Sequence, residues 1–295
     1  MELRELRYFL AIAKYESISR AAEALYVTQP NLSRQMKKLE DETGRQLFER
    51  GSRKITLTDA GRLLKKRAEE ILELYDRAEE EIKAAPEEIS GEVRIGGGES
   101  RAFSLIARAI CAVQRQYPLV KFDVFSGDGE AVSERLDKGL IDFGIFIEPT
   151  DVTRYDSLRL PLCDRWGVLM RSDSPLAEKE SITAADLNGL PVIRSRHSMG
   201  GGIVSDWFKR GAGVEDAACT YNLLYNASLL VESGAGYAVG LEGLINTSQS
   251  NLCFRPLSPE LNSHLDIAWK KYRTFSPAER VFLSELEKLI DKNSM

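Results

Sequence analysis

The chain has 295 residues, 43% hydrophobic, 8% aromatic and 29% charged, with a formal net charge of −5. That is ordinary globular composition; it excludes a collagen-like or wholly disordered chain, and apolar runs such as 140–147 are far too short to span a bilayer. The charge is uneven: residues 1–67 hold 15 Lys/Arg against 9 Asp/Glu, so a basic amino-terminal unit, suited to a polyanion, precedes an acidic body. Met1-Glu2-Leu3-Arg4-Glu5 contains no apolar signal core, which leads to the expectation of a cytoplasmic protein. Four scattered cysteines (Cys111, Cys163, Cys219, Cys253), with no CxxC pair, read as buried small hydrophobes, a redox pair being the alternative. With only His197 and His264 available, no metal and no cofactor is expected.

Leu3, Leu6, Phe9, Leu10 and Ile12 recur at helical spacing and predict a first amphipathic helix. Ser17 or Ser19 can cap a short second helix carrying Ala21, Ala22 and Leu25. Val27-Thr28-Gln29-Pro30 then makes a turn, with Thr28 as N-cap and Pro30 in the first turn of a third helix ending near Gly44. On that helix Leu32, Met36 and Leu39 face inward, while Gln29, Ser33 and Lys37 share another face beside Pro30 and Arg34. Hydrogen-bonding side chains mixed with cations suit a major groove; taken alone, the same face also fits ordinary solvated surface. Phe48-Glu49-Arg50 and Lys54-Ile55-Thr56-Leu57 read as short strands about Gly51-Ser52-Arg53, with Arg50, Arg53 and Lys54 at the tip of a basic wing.

The ordered run Ser17-Ile18-Ser19-Arg20-Ala21-Ala22-Glu23-Ala24-Leu25, Gln29-Pro30-Asn31-Leu32-Ser33-Arg34-Gln35, Leu47-Phe48-Glu49-Arg50, Leu57-Thr58 and Gly61 resembles the winged helix-turn-helix of LysR-type transcriptional regulators. The resemblance implies that Gln29, Pro30, Ser33 and Arg34 lie in the major groove, and that Arg50 and Arg53 meet the backbone or minor groove. It also implies a sequence-specific binder of an interrupted palindrome.

Thr58 can cap a long helix running to about Ala85, ahead of Pro86. Ala60, Leu64, Arg67, Ile71, Leu74, Ala78 and Ile82 follow an approximately heptad rhythm between acidic outer positions. A partner helix is the economical cover for such a seam, giving a homodimer or tetramer; packing on the chain's own carboxy-terminal body is the alternative. Two subunits present two recognition helices to two half-sites.

From Ser90-Gly91 the pattern changes to strand–helix alternation: strands at Val93–Ile95, Val120–Val124 and Gly139–Ile147, helices at Phe103–Val113 and Glu130–Lys138. That predicts a largely parallel sheet covered on both faces. A second run starts near Asp164–Leu169, and Leu265–Trp269 with helix Pro277–Asp291 returns to the first. Gly91–Gly96, Tyr117–Val120, Gly139–Ile145, Ser174–Ala177 and Val231–Gly236 resemble the effector domain of the same family, which is related to type 2 periplasmic binding proteins. The expected α/β architecture is a winged helix-turn-helix over 1–58, a linker and dimerisation helix over 59–86, and a two-subdomain effector-binding domain over 91–295. Its subdomains take about 91–163 with 266–295, and about 164–265.

Ligands of open α/β sheets sit beyond strand carboxyl ends and against helix N-termini. That directs attention to Glu99, Ser100, Gly127, Phe146, Arg196, His197, Ser198, Tyr225 and Asn226, with Gly200-Gly201-Gly202 allowing close backbone approach. Ser100 suits a carboxylate or is only a helix cap, whereas an inward Glu99 disfavours an anionic ligand and favours a cationic or zwitterionic one. Arg196 is a ligand contact or a solvated charge. A transport-type solute-binding protein leaves the basic head unexplained. An enzyme lacks a nucleophile–base set, since Gly-x-Ser-x-Gly is absent and Gly96-Gly97-Gly98 is not a dinucleotide fingerprint. The expectation is a non-enzymatic regulator that binds double-stranded DNA, itself and a small-molecule effector, with RNA polymerase a candidate partner.

Overall fold

The computed structural model describes residues 1–51, 54–83, 88–199, 201–211 and 217–293. The chain forms two compact units, Met1–Ala84 and Ala85–Met295.

The first unit runs α1 (Leu3–Tyr15), α2 (Ile18–Ala24), α3 (Gln29–Thr43), β1 (Phe48–Arg50), β2 (Ile55–Leu57) and α4 (Asp59–Lys83). Ser17 caps α2 by accepting the Arg20 amide; Thr28 occupies the N-cap position of α3, but its side chain makes no capping bond. Phe9, Ile12, Leu32 and Leu39 are fully buried, and the rings of Phe9 and Phe48 lie 5.1 Å apart, tying α1 to the strand pair. Ala21 and Ala22 are buried as well, small enough for α2 to sit close to its neighbours. Thr58 holds the start of α4: its hydroxyl accepts the Gly61 amide at 3.0 Å and donates to the Gln46 carbonyl at 2.7 Å.

One face of α4 is used within the unit. Ala68 and Leu72 are buried, with Ala60 and Leu64 packed alongside them against the α1–α3 core. These residues repeat every fourth position, so the ridge shares Ala60 and Leu64 with the heptad seam expected from the sequence and departs from it at Ala68 and Leu72. Arg67, Ile71, Leu74, Ala78 and Ile82 of that seam are exposed. The expected helix end at Ala85-Pro86 lies outside the described residues.

In the second unit β3 (Gly91–Gly97), α5 (Phe103–Gln116), β4 (Val120–Ser126), α6 (Gly129–Lys138) and β5 (Phe143–Ile147) alternate as the apolar pattern dictates. There follow β6 (Tyr155–Arg171), β7 (Ile182–Thr183), β8 (Val192–Ser195), α7 (Arg196–Met199), α8 (Ile203–Lys209) and β9 (Cys219–Tyr221). The chain closes with α9 (Leu224–Glu232), β10 (Tyr237–Leu241), β11 (Leu252–Ser258), β12 (Asn262–Lys270) and α10 (Pro277–Asn293). The main strand order is β4-β3-β5-β12-β6-β10-β8-β9, with β11 also on β6. Pairs β3/β4, β3/β5, β8/β9 and β8/β10 are parallel, whereas β12 and β6 join them antiparallel, so the sheet is mixed rather than largely parallel.

Strand β6 crosses between two lobes. Its first part, from Tyr155 to Arg165, pairs with β12, and from Trp166 onward it pairs with β10 and β11. The first lobe buries Phe143 against Phe282 (ring centroids 5.2 Å apart) with Leu105, Ile106 and Leu286 from α5 and α10; α6 covers the other sheet face through Val132 and Leu136. The second lobe buries Val168, Met170, Val192, Trp207 and Phe208. The cysteines depart from expectation: Cys111 and Cys163 are exposed and Cys219 and Cys253 half-buried, all four free. Cys111 lies on the face of α5 opposite Leu105, Ala109 and Val113, which face the core.

Candidate nucleic-acid interface and effector cleft

In the first unit α3 buries Leu32, Met36 and Leu39 and thereby turns the opposite edge outward. Thr28, Gln29, Pro30, Arg34 and Lys37 are exposed and Ser33 half-buried. Gln29, Ser33, Arg34 and Lys37 make no bond to another side chain among the described residues, so their polar groups are available to an outside partner. Lys38, one position beyond, is committed inward, its Nζ 3.0 Å from the buried Glu5 and 3.3 Å from Glu42. Two features of this surface escaped the sequence reading. Tyr26 precedes α3 in the left-handed region (φ 56) and is 97% exposed. Glu40 accepts the amides of Leu47 at 2.7 Å and Phe48 at 3.2 Å, which fixes the base of the wing to α3.

The wing is the antiparallel pair β1–β2, with Arg50 opposite Ile55 and the hairpin closed by the Gly51 amide donating to the Lys54 carbonyl at 3.0 Å. Lys54 is exposed, but its Nζ lies 3.3 Å from both carboxylate oxygens of Glu16, an acidic competitor for any phosphate. Arg53 lies outside the described residues.

In the second unit the two lobes enclose a solvent-open cavity of about 650 Å³, open space included. From the first lobe come Gly98, Glu99, Asp128, Ile145, Ile147 and Glu148; from the second come Trp166, Ser195, Tyr221, Asn222, Leu224 and Leu241. Glu99 bridges the lobes: its carboxylate accepts the amide of Leu224, the first residue of α9, at 2.8 Å. Asp128 caps α6 by accepting the Ala131 amide at 3.0 Å. Glu148 pairs with Arg159 at 2.9 Å and accepts the His264 amide at 3.1 Å. Tyr221 donates to the Val239 carbonyl at 2.6 Å, and burial, followed by the nearby Glu99 charge, pushes its phenol well above the ordinary range.

Of the expected cleft residues whose side chains are described, only Glu99 lines this cavity; the side chain of His197 lies outside those described. Ser100 borders a neighbouring hollow with Phe103 and Ser126; its hydroxyl accepts the Ala102 amide at 2.9 Å. The nearby Asp164 is 4% exposed, its Oδ2 buried without a hydrogen-bond partner among the described residues, and burial pushes its carboxyl above the ordinary range. Ser100 thus serves at the start of α5 as the cap that was the alternative to a carboxylate seat. Gly127 stands just behind the wall, its amide donating to Gly97, while its neighbour Asp128 faces the cavity. Phe146 points to the opposite face of the sheet, 1% exposed, its ring 5.8 Å from that of Tyr155; adjacent strand residues alternate, and it is Ile145 and Ile147 that face the cleft.

On the second lobe, the expected loop contains the short α7, to which Arg196, His197 and Ser198 belong. Arg196 is exposed, whereas Ser198 is buried and donates to the Ser195 carbonyl at 2.8 Å. Gly200 lies outside the described residues. Gly202 has φ 87, and a Cβ there would overlap the ring of Pro149; its close approach is to protein rather than to a ligand. Tyr225 (62% exposed) and Asn226 lie on the outward face of α9, because Leu224, Ala227 and Ser228 take the inward one.

Two family profiles match the chain: "Bacterial regulatory helix-turn-helix protein, lysR family" over residues 3–62, and "LysR substrate binding domain" over residues 86–290. The chain belongs to the LysR family of bacterial transcriptional regulators. Among similar proteins, the Hca operon transcriptional activator HcaR of Escherichia coli (strain K12) is 30% identical over 291 residues, covering 96% of each chain. The HTH-type transcriptional regulator BsdA of Bacillus subtilis (strain 168) is 33% identical over 208 residues, 69% of this chain and 70% of that one. The solved structure of full-length CbnR complexed with its target DNA shares the fold at 21% identity and a TM-score of 0.75, covering 98% of this chain and 100% of CbnR. This LysR-family member is accordingly a DNA-binding regulator with an effector-binding domain, and its family is one of regulators rather than enzymes. No described helix is long and apolar enough to cross a membrane.

Proposed function

We propose that this regulator reads an interrupted palindrome as a homodimer, or a tetramer built from dimers, and that a small molecule occupying the cleft between the lobes of the second unit changes its action at the promoter. Gln29, Ser33 and Arg34 contact base edges, while Lys37, Arg50 and Arg53 meet phosphates. The observation that carries this reading is the outward edge of α3: three hydrogen-bonding or cationic side chains at its amino-terminal end, none tied to another side chain among the described residues, beside a wing anchored by Glu40. Amino-terminal side chains of a recognition helix are the ones that reach base edges. The exposed strip Ile71, Leu74, Ala78 and Ile82 on α4 supports self-association, because an apolar strip on a long charged helix is stably covered only by another apolar surface. Action in the cytoplasm, and contact with RNA polymerase at the promoter, belong to the same proposal.

The test is genome-wide mapping of bound DNA, followed by binding of the recovered site and of random DNA to the Gln29→Ala protein. Loss of about 1–3 kcal/mol on the recovered site with little change on random DNA is expected. Equal loss on both would remove Gln29 from base reading.

A further inference from the structure

We infer that the effector is an organic ammonium ion with a compact apolar body, held by the carboxylates of Glu99, Asp128 and Glu148 in the interlobe cleft. The inference rests on the proposal that this cleft is the effector site, and it names the ligand's charge and hydrogen-bonding sense.

The first ground is the polarity of the wall. Three carboxylates border the cavity, and no Lys, Arg or His does so among the described residues. Neither Glu99 nor Asp128 forms an ion pair among the described residues. A carboxylate ligand placed beside Glu99 and Asp128 meets like charge, in a partly desolvated space where such repulsion is poorly screened; Glu148 alone of the three is paired, with Arg159.

The second ground is independent of charge and concerns where donors are spent. Helix N-termini and polar side chains are the usual seats for anions. Here two of the helix starts around the cavity already hold a protein carboxylate: Glu99 on the Leu224 amide of α9 at 2.8 Å and Asp128 on the Ala131 amide of α6 at 3.0 Å. Three of the side-chain donors are committed as well, leaving the Ser195 hydroxyl and the Asn222 amide at the second-lobe side. Trp166 Nε1 donates to Ser263 at 2.8 Å, the Tyr221 hydroxyl to Val239 at 2.6 Å, and the Thr150 hydroxyl to Ile147 at 2.8 Å. What the first-lobe side of the cavity offers is therefore anionic acceptor oxygen, from Glu99, Asp128 and Glu148, and the fitting ligand group there is a cationic donor. An ammonium supplies three donors and one positive charge. Ile145, Ile147, Trp166, Leu241 and Leu244 form the rest of the wall, which calls for apolar carbon attached to that ammonium and argues against a bare hydrated cation.

The test is calorimetric titration of the full-length protein with isosteric sets of small ligands: butylamine to phenethylamine, the matching alcohols and the matching carboxylates. At least one amine should bind saturably and about tenfold or more tighter than its alcohol and its acid. Its affinity should fall about tenfold in Glu99→Gln, which keeps an acceptor for the Leu224 amide while removing the charge. Asp128→Asn is the second variant should Glu99→Gln fold poorly. Tighter binding of an acid, equal binding of an alcohol, or binding of no member of any set overturns the ligand class. Asn222→Trp at the cavity rim separates this failure from failure of the site. If an amine binds but is indifferent to Asn222→Trp and to Glu99→Gln, the ligand lies elsewhere and the cleft reading falls; if an acid binds and Asn222→Trp weakens it, the cleft stands and only its ligand class is wrong.

Discussion

Lys38 on α3 sets its ammonium 3.0 Å from the carboxylate of Glu5 on α1, a side chain with no exposed surface in the core of the DNA-binding unit. Burial alone would push Glu5 up; the Lys38 ammonium and the Glu2 amide outweigh it and hold the carboxyl below its ordinary value of 4.5. A carboxyl depressed by folding stabilises the fold above its unfolded pKa and loses that contribution as pH falls through the folded one. The first unit should therefore weaken on acidification below about pH 4.5, and Glu5→Gln should flatten that limb while costing about 1–3 kcal/mol at pH 7. Denaturant melts across pH check this. An unchanged acid limb in Glu5→Gln would show that other carboxyls control it.

Gly61 in the first turn of α4 faces the carbonyl oxygen of Leu47, and a Cβ at that position would collide with it. That oxygen also accepts the Thr58 amide at 3.1 Å, so it has little room to retreat. Gly61→Ala should destabilise the first unit by about 1–3 kcal/mol despite the better helix propensity of alanine. Thermal melting reads the outcome. A rise in melting temperature would mean that the strand start moves aside at little cost.

The first unit was legible almost throughout, because its helices are amphipathic and its caps and turns use residues with narrow roles, such as Ser17, Pro30 and Gly44. The face of α4 was the exception: Ala68 and Leu72 lie only one or two positions from the heptad seam, and pattern alone does not say which of two adjacent ridges meets the head. In the second unit the long β6 was missed between Tyr155 and Cys163. Its residues there are mostly exposed, and Pro161 reads against a strand. The register of β12 shifts opposite this proline, between His264 and Asp266, and such an irregularity is where a strand tolerates one. For the cleft, the expected Gly127 and Phe146 are immediate chain neighbours of Asp128, Ile145 and Ile147, and it is those neighbours, with Glu148, that face the cavity. Loop positions carry no periodicity from which facing can be read, and the apolar character of cysteine does not place Cys111, whose exposure follows from its outward face of α5.

The exposed strip on α4 makes a direct prediction about assembly. Ile71 and Leu74 are each 38% exposed and Ile82 84%, and none belongs to the core beneath the helix. Glu at both 71 and 74 should leave helix content unchanged, since Ala68 and Leu72 still anchor the helix, but dissociate the dimer. Sedimentation equilibrium should then give a monomer, with loss of most affinity for a two-half-site DNA. A double variant that stays dimeric would place the interface elsewhere.

Phe146 separates stability from ligand binding. Its ring is stacked with that of Tyr155, interplanar angle 10°, among Val132, Leu136, Ile141 and Ala268 beneath α6. Tyr155 in turn donates its hydroxyl to Asp137 at 2.8 Å, so the pair pins α6 to the sheet. Phe146→Ala removes a fully buried ring from a well-packed face and should cost about 3–5 kcal/mol. Because strand alternation turns the ring away from the cavity that Ile145 and Ile147 line, the affinity for a cleft ligand such as phenethylamine should not change in protein that remains folded. Chemical denaturation and calorimetric titration of the same preparation measure both quantities. Lost affinity at unchanged stability would put the ring in the cleft after all, which the packing of α6 on β5 leaves no room for.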